Sequence, residues 1–227
     1  MKRALLCFLK YPAPGQVKTR LAVDLGAERA AELYRDLTER VITEAFCTED
    51  QYDLILCVDP QTAISEYQAW LGGHFVFWPQ AGENLGKRMI HAFAQAFQQG
   101  YEQVLLIGSD CIGMDETFYE AAFARLDDHD VVIGPCPDGG YYMIGLKQAQ
   151  DLLFERMPWS TAEVLSLTLD RIEALQLKVQ QLEEKFDLDD LENLTRFRDA
   201  LPEEHYIGKK IDRLILDRLD NLPIAND

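Results

Sequence analysis

Continuous apolar runs alternate with stripes at helical spacing along this chain. Residues 4–9 read as a buried strand, and 26–46 as a helix with Leu33, Leu37, Val41 and Ile42 on one face. Strands follow at 53–58, 74–78, 103–108 and 130–134. Helices near 61–71, 86–99 and 115–126 fall between them. Strand and helix alternating in this way predict a mostly parallel sheet covered on both faces, a three-layer α/β/α arrangement. The rhythm then changes. The apolar runs 131–135 and 141–146 are joined by Cys136-Pro137-Asp138-Gly139-Gly140, and such a short Gly-containing link predicts a hairpin with one antiparallel strand. A helix over 161–175, a short strand over 177–181 and helices near 190–201 and 205–221 complete the reading.

The last helix carries an apolar stripe of Ile207, Ile211, Leu214, Ile215, Leu219 and Leu222. Docking on its own domain is the simple reading of that stripe, and a homodimer contact is the functional one. At 227 residues with 48% apolar content, the chain is expected to form a single domain over 1–227, with C-terminal helices over 203–222. No run approaches the ~18 apolar residues of a membrane span. Met1-Lys2-Arg3 followed by the short run 4–9 reads as a first strand and not a leader.

A net charge of −17 argues against a nucleic-acid partner, because polyanion binding needs a basic surface. A phosphate-bearing ligand would have to meet a local group of cations or a metal. The five cysteines are widely spaced without a C-x-x-C pair, so neither a disulfide framework nor a zinc knuckle is expected, and the cytoplasm is the expected compartment. His74, His91, His129 and His205 are scattered and receive no role.

Four segments could carry chemistry. Lys10-Tyr11-Pro12-Ala13-Pro14-Gly15-Gln16-Val17-Lys18-Thr19-Arg20 follows the first strand, where ligands of open parallel sheets bind. Its glycine lets the backbone approach a phosphate, and Lys10, Lys18 and Arg20 supply charge; a solvated turn is the plain alternative. Lys18 and Arg20 are expected to face phosphate and not a protein carboxylate. The loop is neither a Walker A sequence nor G-x-G-x-x-G. Gly108-Ser109-Asp110-Cys111 ends the central strand, and Asp110 can hold Mg²⁺ or Mn²⁺ through oxygen or cap a helix. Asp115 is better placed as the cap. Asp138-Gly139-Gly140 is either simple turn chemistry or a place where substrate approaches the backbone beside a carboxylate. Asp187 and Asp189 offer a second metal carboxylate, with a helix N-cap as the alternative for the Asp189-Asp190 pair. Asn84-Leu85-Gly86-Lys87-Arg88 could contact base or phosphate through Gly86 and Arg88, or simply start a helix. Trp159-Ser160-Thr161 could meet substrate, or cap the helix 161–175.

The ordered motifs F-L-K-Y-P-A-P-G-Q-V-K-T-R-L, E-N-L-G-K-R-M, G-S-D-C, P-D-G-G-Y-Y-M-I-G-L, P-W-S-T and F-D-L-D-D-L-E-N-L resemble the DUF2064 family. These are glycosyltransferase-A-like proteins also labelled radical-SAM/selenodomain-associated transferase 1, and they are similar to 2-phospho-lactate guanylyltransferase and the molybdenum cofactor guanylyltransferases. The resemblance covers about residues 3–195. It implies a nucleotide-diphospho-sugar transferase fold, with the 10–20 loop on the nucleotide phosphates, Asp110 on a divalent metal, and Asp187 or Asp189 as second carboxylate. Many members read Ser-Asp-Cys-Pro where this chain has Ile112-Gly113, and loss of that proline is expected to loosen the loop. The implied activity is transfer from a nucleotide or nucleotide-sugar to a small-molecule acceptor that enters over Asp138, Gly139, Gly140 and Trp159. Glycosyl transfer, guanylyltransferase-like nucleotidyl transfer and a nucleotide-binding module without turnover remain the three readings.

Overall fold

The computed structural model describes residues 1–47, 51–59, 62–186, 188, 190–200 and 206–220. Its centre is a seven-stranded sheet: β1 (Arg3–Leu9), β2 (Asp53–Val58), β3 (Val76–Pro79), β4 (Gln103–Ile107), β5 (Val131–Pro135), β6 (Tyr141–Leu146) and β7 (Val179–Gln181). The order is β3-β2-β1-β4-β6-β5-β7. β1 is parallel to β2 and β4, β2 to β3, and β5 to β7, while β6 runs antiparallel to both β4 and β5. The fold is therefore α/β with a mostly parallel sheet and one antiparallel strand.

Period-2 alternation sorts side chains to the two faces, both of which are covered, so strand residues of both parities are apolar. Leu5, Cys7 and Leu9 of β1 join a cluster with Val41 and Ile42 of α2 (Ala27–Ala45) and with Tyr119 and Phe123 of α5 (Glu116–Asp128). Ala4 and Leu6 join the opposite cluster with Met89 and Phe93 of α4 (Leu85–Gln98) and Ile172 of α6 (Val164–Ala174). α3 (Ile64–Leu71) adds Tyr67 to the first face.

A short helix, α1 (Thr19–Leu25), precedes α2, and Gly26 at φ 85° makes the corner between them. Sequence periodicity started this region at 26 because seven residues are too few to display a stripe. Leu21 and Leu25 form a further cluster with Leu33 and Leu37 of α2, with Leu188, with Leu194 of α7 (Leu191–Ala200), and with Ile207, Ile211 and Leu214 of α8 (Tyr206–Asp220). Docking on the same chain accounts for those three residues of the C-terminal stripe. No described helix is long and apolar enough to cross a membrane.

Two local expectations changed. α6 begins at Val164 and not at 161; its N-cap is Glu163, so neither Ser160 nor Thr161 caps it. The loop after Asp110 is anchored despite the missing proline. Ile112 packs against two of the apolar clusters, and Gly113 N–H donates to Glu44 Oε2 at 2.7 Å.

Candidate active site

The chain runs β1, β2, β3 toward one edge and then returns to place β4 on the other side of β1. Such a reversal opens a crevice at the carboxyl ends of the two central strands. The loop 10–20 leaves β1 here, and Gly108-Ser109-Asp110 leaves β4. The expected meeting of the two segments occurs: Lys18 Nζ lies 2.9 Å from Asp110 Oδ2.

That contact corrects one expectation. Lys18 was read as facing phosphate alone, yet its ammonium also pairs with a carboxylate, and its side chain is only 3% exposed against 32% for Asp110. A buried ammonium needs compensating charge, and the carboxylate at the end of β4 supplies some of it. Lys18 also caps α1 at φ 46°, a left-handed conformation unusual for a side chain with a Cβ.

A hydrogen-bonded floor ties the two loops together. Tyr34 of α2 accepts from Lys10 N–H at 2.9 Å and lies 2.8 Å from Ser109 Oγ. In the second contact either hydroxyl can be the donor. Burial pushes the Tyr34 phenol above its ordinary pKa, so it stays neutral. Burial, with the Asp110 charge second, pushes the Cys7 thiol up to about 12. Cys7 is thus no thiolate nucleophile.

A cavity of about 640 Å³ opens over this floor. Among the described residues, its lining includes Lys10, Lys18, Thr19, Arg20 and Arg88 against the one carboxylate of Asp110. Four cations around one acid form a local positive field within a chain of net charge −17. The Arg88 guanidinium is held in place: it donates to Gly82 O at 3.2 Å and to Gln80 Oε1 at 3.3 Å, and lies 3.6 Å from Asp59. Gln80 is itself fixed, donating to Cys57 O at 2.8 Å. Pro14, Gly15 and Gly86 are not part of the lining. Gly86 instead lets α4 approach its neighbours, since a Cβ there would sit 2.5 Å from Phe154 O and 2.9 Å from Trp159 Nε1.

A second cavity of about 390 Å³ adjoins the first and shares Phe8, Arg20, Leu85, Gly108 and Ser160 with it. Asp138, Gly140 and Trp159 line it, as does Thr161. The Asp138 side chain accepts from Gly140 N–H at 2.9 Å, so turn chemistry and cavity position coexist there. Gly139 is absent from the lining and has a packing reason: at φ +86° an added Cβ would lie 2.1 Å from Ala162 O. Gly139→Ala is therefore expected to cost about 2–4 kcal/mol, read as a lower urea midpoint. A midpoint unchanged from the parent would remove this packing argument.

Asp115 caps α5, its Oδ1 accepting from Phe118 N–H at 3.0 Å, which leaves Asp110 to the crevice. Asp187 and Asp189 lie outside the described residues. Among the described residues no group of three or more His, Cys, Asp or Glu could hold a metal. Asp110 alone still fits a hard cation that takes one or two protein carboxylates and completes its shell with phosphate and water. Tyr34 and Gln80 escaped the sequence reading, whereas Ser109 and Ser160 entered it only as members of their segments. A tyrosine on an otherwise apolar helix face was the one signal for Tyr34.

The family model described as "Uncharacterized protein conserved in bacteria (DUF2064)" matches residues 42–161, a span that includes Arg88, Asp110, Asp138 and Trp159. No curated protein matches the chain. A protein of Desulfovibrio desulfuricans G20, provisionally named a nucleotide-diphospho-sugar transferase, superposes with TM-score 0.88 at 32% identity, over 96% of this chain and 99% of that one. A cytidylyltransferase from Leptospira borgpetersenii shares the fold at TM-score 0.56 and 12% identity, covering 100% of both chains. A Mycobacterium tuberculosis H37Rv protein in complex with manganese matches at TM-score 0.50 and 11% identity, over 88% of this chain and 100% of that one.

Proposed function

Because the chain belongs to the DUF2064 family, we propose that it is a metal-dependent transferase that takes a nucleotide-sugar donor and moves the sugar to a small acceptor. The observation that carries this reading is the pair of adjoining cavities, cationic and apolar, meeting at Arg20 and Ser160. The full-length similarity to the Desulfovibrio protein supports a transferase that uses a nucleotide.

In this reading the first cavity holds the donor. Lys18, Arg20 and Lys10 face its diphosphate, and Arg88, already oriented by Gln80 and Asp59, meets the nucleotide end. Asp110 would hold Mg²⁺ or Mn²⁺, with Asp187 or Asp189 as the proposed second carboxylate. When bound, the cation supplies positive charge to the phosphate oxygens. The acceptor occupies the second cavity, beside Asp138 and Trp159. Its hydroxyl oxygen attacks the anomeric carbon as the bond to the diphosphate breaks. The hydroxyl proton passes to Asp138, and Lys18 and Arg20 stabilise the charge gathering on the departing diphosphate.

A thermal-shift panel of nucleotides and nucleotide-sugars, with Mn²⁺ and with chelator, tests the reading. A nucleotide-sugar should raise the melting temperature in Mn²⁺ and do so far less in chelator. Equal shifts in both conditions would sink the metal dependence, and no shift with any nucleotide would sink the donor site. With a donor in hand, release of nucleoside diphosphate supports sugar transfer, whereas pyrophosphate released from a nucleoside triphosphate would replace it with nucleotidyl transfer.

A further inference from the structure

The two cavities differ in charge, and the difference bears on the acceptor. The first is ringed by Lys10, Lys18, Arg20 and Arg88. Among the described residues lining the second, Arg20 is the single cation, and it stands at the shared mouth. Asp138 sets a carboxylate against it. The walls are built from Met89, Ile107, Tyr141, Trp159 and Val164. Trp159 and Tyr141 meet edge to face, their ring centroids 6.5 Å apart.

Such a surface is poor for an anion. Aromatic faces carry negative electrostatic potential, and the carboxylate of Asp138 repels a second negative charge. A phosphate placed here would lose hydration without gaining a cation of its own. A neutral molecule is treated differently. Its apolar face covers the aromatic and aliphatic wall, and its hydroxyls find Asp138, Ser160 and Thr161 as partners. Ser160 is not the cap of α6 and can meet a ligand's hydroxyl groups, while the Thr161 hydroxyl, which donates to Pro158 O at 2.8 Å, offers a ligand only its oxygen as acceptor. Ser160 holds a left-handed φ of 67° at the junction of the cavities, strain of a kind that gathers at ligand clamps.

We infer that the second cavity is an acceptor subsite for an uncharged polyhydroxy compound with an apolar face, and that it discriminates against phosphate esters. The inference rests on the transferase reading for the word acceptor, but the binding preference stands on this cavity alone. It also selects among acceptors: the attacking group is a hydroxyl and not a phosphate oxygen.

Two matched probes test it, 4-nitrophenyl β-D-glucoside and 4-nitrophenyl phosphate, titrated by ligand-observed NMR against the parent and Trp159→Ala. The glucoside should bind the parent and weaken about tenfold in Trp159→Ala, the effect of removing one aromatic wall. The phosphate ester, drawn to the cations of the first cavity, should bind both proteins equally. Should Trp159→Ala fail to fold, Asp138→Asn serves, because it keeps an oxygen that can accept from Gly140 N–H. It should weaken the glucoside, while the phosphate ester, freed of that repulsion, should bind no more weakly than to the parent. A parent that does not bind the glucoside overturns the inference. So does a phosphate ester that weakens with Trp159→Ala or with Asp138→Asn, since it would then occupy the second cavity. Separate titration of a nucleoside diphosphate keeps the two readings apart: its failure to bind removes the donor site, while the glucoside constants still decide the second cavity.

Discussion

Asp110→Asn is expected to reduce turnover by on the order of 100-fold or more, since the charge that gathers a metal and the donor phosphates is lost while the shape remains. The check is a titration of nucleotide affinity against Mn²⁺. In the parent, affinity should rise steeply with the cation, and in the variant it should stay nearly flat. Matching curves would remove Asp110 from the metal role. The substitution has a second consequence. Lys18, 3% exposed, loses the carboxylate 2.9 Å from its ammonium. An under-compensated buried ammonium costs about 1–3 kcal/mol, so the variant should also melt earlier. Pairing it with Lys18→Met should recover part of that loss, because the two residues share one interaction.

Lys18→Met carries the second large effect. The side chain keeps much of its volume and loses its charge. A charge-assisted contact contributes roughly 1.5–3 kcal/mol, which is about tenfold or more in affinity for a nucleoside diphosphate. Affinity for the bare nucleoside should hardly move, because Lys18 and Arg20 act on phosphate. Isothermal titration of both ligands against parent and variant separates the outcomes. Equal losses for nucleoside and diphosphate would mean that the cation shapes the cavity without touching phosphate. Loss of stability alone, with both affinities intact, would make the pair with Asp110 its whole purpose.

The strands were legible because each is a short apolar run bounded by turn residues, and the antiparallel β6 was legible from the brief Gly-containing link before Tyr141. Boundaries slipped where capping decided them. α6 starts at Val164 although Thr161 looked like a cap: the Thr161 hydroxyl donates to Pro158 O at 2.8 Å instead. α1 was missed altogether, because a seven-residue helix starting from a left-handed Lys18 shows neither a cap sequence nor a repeat. Gly86 and Gly139 looked like places for ligand to approach. Both are packing glycines, a distinction that depends on what lies across from them: Trp159 and Phe154 in one case, Ala162 in the other.

By itself the sequence determined the alternation of layers, the likeness to DUF2064, and the gathering of Lys10, Lys18 and Arg20 in one loop of an acidic chain. Those are local properties, written in periodicity and in residue spacing. Only the tertiary structure decided that Lys18 pairs with Asp110 and that Gln80 and Asp59 aim Arg88. It also decided that the cationic and the apolar cavity meet at Arg20 and Ser160. Partners separated by 92 positions, as Lys18 and Asp110 are, carry no mutual signal along the chain. They become neighbours because β1 and β4 lie side by side in the sheet, and strand order is set by the packing of helices on both faces.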